Sequence, residues 1–491
     1  MTKISLIIYG ASLLSALFQF IAVPMTINYF GSDLYAILSI ILSILAYLNF
    51  YNFGVPTTVG SLFSSSGEHE FRLKLILKGT ILLVAISAIL IVLLSFLYLN
   101  TDLLVIYFND ELLAETFFLI AIITAINLPL NIFISSFVFY NKIYIERVYF
   151  IVSSSLPILS ILIADYLELS FNEYLIIRFV LLFLIGIISF IHFLVLFKTY
   201  IQKDIFRQFN FFKFYAYKQI IKQSLKYIVI GASALVIWNT DALIMKNFMT
   251  LEEITFFLVI FKLFTFSFFI FSAINLIVTP MISDCHAKGD YVNLQYIYNN
   301  SLLLSIFIGG SIWIGGLLFS RSIIHFWVGD SIDSDLSTIV FLGAYTAMMS
   351  INSLLTTFLI QTNSVKKYGV LVPWIEAVVH TLLVILFLNI NQSGFSVAMG
   401  IAFGMLSSFI MTPLLLQYKL RGKIIISLSQ IIKKVFFMQV PFVLGYISLF
   451  TFGYGESTLL NVLYFTFYIL YFYTMLESNQ KILLKKYLLR K

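Results

Sequence analysis

YIVIGASALVIWNTDALIMKNF, residues 227–248, is an almost unbroken apolar run that carries Asp241 and, shortly after it, Lys246. In a soluble core helix the aspartate would be an oddity of packing. In a helix that crosses a bilayer its charge costs about 2.5–3.5 kcal/mol near the centre, so it needs a partner or a task. The rest of the chain decides between the two. Of 491 residues, 61% are hydrophobic and 11% are charged, and the mean hydropathy is +1.01. Soluble domains carry about 25% charged residues. So much apolar surface does not fit into one core, and its solvent is therefore largely lipid.

A crossing helix needs about 20 mostly apolar residues. Such runs occupy 4–28, 34–62, 75–99, 116–140, 148–167, 174–197, 227–248, 254–282, 298–320, 337–360, 368–389, 395–418, 435–452 and 458–476. The first is too long for a signal-peptide core and lacks a small-residue cleavage site, so it reads as a retained helix. The expected fold is an all-α polytopic membrane protein of about fourteen transmembrane helices.

The loops test this count independently, because basic residues collect on the cytoplasmic side. With the N-terminus inside, the inner loops hold Arg72, Lys74 and Lys78, then Lys142 and Arg147, then a basic stretch from Lys198 to Lys226. Later ones hold Lys288, Lys366, Lys367 and the group from Lys419 to Lys434, and the tail is basic as well. The outer loops are acidic or neutral, with Asp33, Asp102, Asp110, Asp165, Glu173, Glu252, Glu253, Asp330 and Glu456, and Arg321 as the exception. A miscounted helix would invert this alternation, and it never inverts. The net charge of +7 therefore reads as topology, with both termini cytoplasmic, and not as a nucleic-acid footprint.

The joint KTYIQKDIFRQFNFFKFYAYKQIIKQSLK, 198–226, divides the chain into halves. Its mixed aromatic and basic character suits a segment lying on an anionic inner leaflet. Gly10-Ala11-Ser12 matches Gly231-Ala232-Ser233 at a shift of 231 − 10 = 221, and helix order and sidedness agree at that shift. This predicts two six-helix bundles in parallel repeat, 1–197 and 227–418, with two extra helices and a basic tail over 419–491. All eight prolines fall in or at the ends of predicted spans, which favours bent helices around a cavity.

Asp241 lies nine residues before Thr250, and Lys262 lies nine after Glu253. Both are expected about 13 Å below the outer turn, on adjacent antiparallel helices. They suit an ion pair, a substrate contact or a coupling proton. Glu376 and His380 are spaced i, i+4 and share a helix face, where a carboxylate beside an imidazole carries a proton near neutral pH. Arg178 lies near the outer end of the sixth span and Arg147 at the inner mouth. Asn52 and Asn239, among other amides, add uncharged hydrogen-bonding groups that suit a sugar or glue helices together. Cys285 is the single cysteine, which excludes a disulfide framework and a thiolate metal cluster. There is no phosphate-binding loop, HExxH, GxSxG or metal-ligand pattern, so neither cofactor nor metal is expected. A secondary transporter is favoured over an enzyme or an ATP-driven pump.

GASLLSALFQFIAVPMTINYFGSDLYAILSIILSILAYLNFYNFGVPTTV, 10–59, with the Gly31 turn and its Leu-Asn-Phe-Tyr-Asn-Phe-Gly end, and TDALIM, 240–245, resemble the Wzx-type polysaccharide flippases. These belong to the multidrug/oligosaccharidyl-lipid/polysaccharide exporter superfamily. The resemblance implies transfer of an undecaprenyl-pyrophosphate-linked repeat unit across a bacterial inner membrane for O-antigen or capsule assembly, by alternating access driven by an ion gradient. It also implies a polysaccharide polymerase and chain-length proteins as partners, and cationic cavity residues, for which Lys262 and Arg178 stand by location. The lipid II flippases of the superfamily carry arginines in spans 1, 2 and 8, where this chain has only Lys262. Its drug exporters carry a carboxylate in span 1, whereas Asp33 falls in the loop beyond. The rival readings are a cation-coupled drug exporter and a non-catalytic subunit of a polysaccharide assembly complex.

Overall fold

The computed structural model describes residues 3–50, 54–64, 69–100, 102–198, 215–329, 335–362, 368–453, 455 and 457–476. Every regular element among them is helical. Among the described residues, thirteen helical segments are long and apolar enough to cross a bilayer. A fourteenth crossing follows if Tyr217–Val229 and Gly231–Met245, which meet at 42°, form one span. The chain folds as two compact units, Met1–Leu243 and Ile244–Lys491.

Unit 1 opens with α1 (Lys3–Phe30) and α2 (Ser32–Asn49). Gly31 joins them at φ +90°, a conformation that disfavours any side chain. The end of the predicted second span falls on α3 (Val55–Ser64), and residues 51–53 lie outside the described residues. Next come α4 (His69–Asn100), a short α5 (Leu103–Phe108) and α6 (Glu111–Asn127). The fourth span is not one helix. Pro129 cannot continue the hydrogen-bond ladder, and a 3-10 turn at Leu128–Leu130 hands over to α7 (Asn131–Phe139). Then follow α8 (Ile143–Leu167) and α9 (Phe171–Leu196), the latter started by a reciprocal capping box between Ser170 and Glu173.

The last helix of this unit, α10 (Tyr215–Met245), begins well before the expected 227. Most of the basic joint, 199–214, lies outside the described residues. Its final part is already α10 and packs inward: Ile220 joins the apolar cluster of Val59, Phe63, Ile76 and Phe137. The Ser224 hydroxyl donates to Thr58 Oγ1 at 3.1 Å. A second cluster around Leu38, Ile41, Phe117, Tyr174 and Phe179 lies on α2, α6 and α9.

Unit 2 contains α11 (Leu251–Phe266) and α12 (Phe268–Lys288), two helices in one predicted span, interrupted at Ser267. The next helix, α13 (Tyr291–Val328), has 38 residues. At 1.5 Å per residue it is about 57 Å long, nearly twice a hydrocarbon core, so its ends stand outside the membrane. It is followed by α14 (Leu336–Gln361), α15 (Tyr368–Ile390) and α16 (Gly394–Lys419), then α17 (Leu428–Thr451) and α18 (Thr458–Met475). The appended pair docks on α13 through buried amides. Gln439 donates to the Ile306 carbonyl at 2.8 Å, and Asn461 to that of Leu318 at 3.0 Å. Large side chains such as Val92, 67% exposed, and Phe96, 61% exposed, stand on outer faces that suit acyl chains.

Candidate functional site

In unit 2, α14, α15 and α16 enclose a polar cluster. Glu376 is 7% exposed and His380 1% exposed, one turn apart on α15, so the expected shared face exists and it is buried. Ser408, whose hydroxyl donates to the Met405 carbonyl at 3.2 Å, and His380 are the neighbours that act on the Glu376 carboxylate. Asn352 donates to Ser408 Oγ at 3.2 Å. The helices approach closely because α16 presents glycines there: a Cβ on Gly404 would lie 2.6 Å from His380 Cα, and one on Gly400 2.7 Å from Val384 Cα. Asn352 Oδ1 is buried without a hydrogen-bond partner among the described residues. Buried polar atoms are normally satisfied, so the cluster has acceptor capacity for a proton-bearing water or a small cation. No group of metal-ligand type occurs among the described residues.

In unit 1, Arg178 sits two turns into α9. Its Nη1 donates to the Tyr174 hydroxyl at 3.0 Å, and its charge reaches the buried Tyr35 phenol of α2. Among the described residues Arg178 forms no ion pair. Its surroundings are phenolic, which leaves guanidinium donors for an anion. Arg147 differs. Its Nε lies 2.8 Å from Glu146 Oε2, and its guanidinium covers the Phe150 ring at 5.2 Å. Its charge is matched by its chain neighbour.

Asp241 closes unit 1 in the last turn of α10 and is 7% exposed. The adjacent Thr240 shares a 2.6 Å hydrogen bond with Tyr47, and the Asp241 charge acts on that phenol. Asn239, one residue earlier, donates to the Leu235 carbonyl at 3.4 Å. Lys262 belongs to unit 2, on an exposed position of α11. Asn52 lies outside the described residues. The structure thus buries Glu376 and His380 on one face of α15, and the neighbouring side chains are Ser408 and Asn352, with Tyr174 and Tyr35 beside Arg178. None of these four carries a sequence signal of its own, since single hydroxyls and amides occur in many of the helices.

No family model matches the chain, and no curated protein matches it by sequence. Its fold does have relatives. A lipid II flippase, MurJ, in an inward closed conformation superposes with a TM-score of 0.68 at 16% identity, over 99% of this chain and 100% of that one. An inward-facing multidrug resistance MATE family transporter of the MOP superfamily gives 0.63 at 11% identity, over 87% and 99%. A MATE transporter of Vibrio cholerae gives 0.53 at 13% identity, over 86% and 97%. At these identities the likeness defines the fold: a polytopic helical membrane protein of the architecture shared by these flippases and exporters.

Proposed function

We propose that this chain is a flippase that carries an undecaprenyl-pyrophosphate-linked oligosaccharide repeat unit across a bacterial inner membrane for O-antigen or capsule assembly. One observation carries the reading. The fold matches a lipid II flippase end to end, over 99% of the chain, whereas the MATE transporter accounts for 87%. The sequence resemblance to Wzx-type flippases and the many uncharged amides and hydroxyls in the spans support a glycan cargo. In this reading the bundles are 1–197 and 227–418, both termini are cytoplasmic, and membrane lipids surround the protein. Asp241, Lys262, Arg178, Arg147, Asn52 and Asn239 line the substrate pathway. Asp241, Glu376 and His380 couple transport to an ion gradient.

The test uses a strain lacking this gene. Restored surface polysaccharide with the wild-type protein, and inner-facing completed lipid-linked units accumulating with Lys262→Ala, are the expected results. Normal surface polymer in the deletion strain, with altered drug sensitivity instead, would favour a cation-coupled exporter, the second reading that the MATE likeness supports.

A further inference from the structure

Helices α12 and α14 carry a polar ladder that their composition does not announce. The Asn275 amide donates to Ser353 Oγ at 2.6 Å, and the Ser283 hydroxyl to Gln361 Oε1 at 2.7 Å. Both pairs are 78 residues apart, so the helices run parallel and in register. Between these rungs stand Thr279 and Thr357. Each donates its hydroxyl proton one turn back, to Asn275 O at 2.6 Å and to Ser353 O at 3.0 Å. The rungs repeat every four residues, about 6 Å, so the ladder is about 12 Å long.

Its placement argues against simple helix glue. All six side chains are half-buried, while the neighbouring Ile274, Val278, Ile282, Leu354, Leu355 and Phe358 fill the core. Unit 2's gluing polar groups are enclosed instead, as in the buried bond from Ser350 to the Ser305 carbonyl. Half-exposed amides and hydroxyls within a span suit a wet or ligand-lined surface, not acyl chains. Each threonine hydroxyl has given away its proton and keeps lone pairs to accept. The ladder bears no charge, which fits neutral hydroxyls better than a diphosphate.

The repeat supplies a second argument. Subtracting 221 from 275, 279 and 283 gives Gly54, Thr58 and Leu62. There Gly54 lies against the Ser224 carbonyl, Thr58 is fully buried, and no third polar rung exists. The fold does not require the ladder.

We infer that the Asn275/Ser353, Thr279/Thr357 and Ser283/Gln361 rungs form the glycan-binding track of unit 2, taking the hydroxyls of uncharged sugar residues. This rests on the flippase reading above. The test measures binding to the full chain in nanodiscs with two probes: undecaprenyl diphosphate, and the same carrier bearing an N-acetylhexosamine disaccharide. The wild type is expected to bind the glycosylated carrier about tenfold more tightly, as a pair of hydrogen bonds allows. The double variant Thr279→Val/Thr357→Val is expected to lose that preference and keep bare-carrier affinity, while Ser350→Ala retains the preference. A preference surviving in the double variant would overturn the track. So would equal loss of both probes together with a lowered thermal midpoint, the mark of helix glue. Equal binding of both probes by the wild type would overturn the track and leave the carrier reading standing. Binding of neither would overturn the carrier reading and the track with it.

Discussion

Gly404 on α16 backs directly onto His380 on α15: the Cβ that this glycine lacks would lie 2.6 Å from the histidine Cα and 2.7 Å from its Cβ. Backbone stands on both sides of that contact, so neither helix yields by rotating a side chain. Gly404→Ala should therefore part the helices and draw Ser408 away from Glu376. Overpacking of this kind costs about 1–3 kcal/mol. A clearly lowered thermal midpoint of the detergent-solubilised protein is expected. Gly10→Ala is the control, because nothing lies within 4 Å of the added Cβ. Equal midpoints for the two variants would refute the contact.

Glu376 is the one carboxylate of the cluster formed with His380, Ser408 and Asn352. Glu376→Gln keeps the shape and removes the charge. In proteoliposomes, this variant is expected to retain carrier binding and to lose the response of transport to an imposed proton or sodium gradient. Ser408→Ala removes the hydroxyl that accepts from Asn352 beside the carboxylate, a loss of about 0.5–1.5 kcal/mol. It should weaken coupling without abolishing it. A gradient response unchanged in Glu376→Gln would remove this residue from the coupling role.

Asp290 caps α13 outside the membrane. Its carboxylate accepts from the Asn293 backbone N–H at 3.1 Å and from the Asn293 amide at 2.6 Å. These bonds hold its carboxyl below the ordinary value of 3.8. A depressed folded-state value means the capping contribution is present above the unfolded pKa and is lost as pH falls through the folded one. The midpoint difference between the wild type and Asp290→Ala should thus be constant from about pH 5 upward and shrink below about pH 4. A difference independent of pH down to about pH 3 would show that the charge plays no part.

Much of the fold was legible because hydropathy is a property of whole segments. Apolar runs of about twenty residues survive small errors at every boundary. What resisted reading was local. Pro129 breaks its span, yet Pro24 and Pro157 sit inside continuous helices. Proline alone does not say which, because neighbouring helices in a bundle can resatisfy the freed carbonyl. That Glu376 and His380 share a face of α15 followed from spacing on a single helix. The partners Ser408 and Asn352 did not, since they come from α16 and α14, and only packing brings three helices to one point. The ladder of α12 and α14 was hidden for the same reason: its register is a relation between helices.

Arg178 offers the sharpest separation between a pathway residue and a structural one. Its guanidinium is held by the Tyr174 hydroxyl at 3.0 Å, and it forms no ion pair among the described residues. An arginine retained for packing would tolerate Arg178→Lys, which keeps the charge and most of the stem. An arginine that receives a phosphate or an acidic sugar through its planar fork would not, because an ammonium cannot make the bidentate contact. The expected result is that Arg178→Lys inserts and melts like the wild type but transports about tenfold more slowly, the loss of one charge-assisted hydrogen bond. Tyr174→Phe releases the guanidinium without removing it and should cost less. If Arg178→Lys transports normally while Arg178→Ala fails to insert, the residue is a structural cation and leaves the substrate pathway.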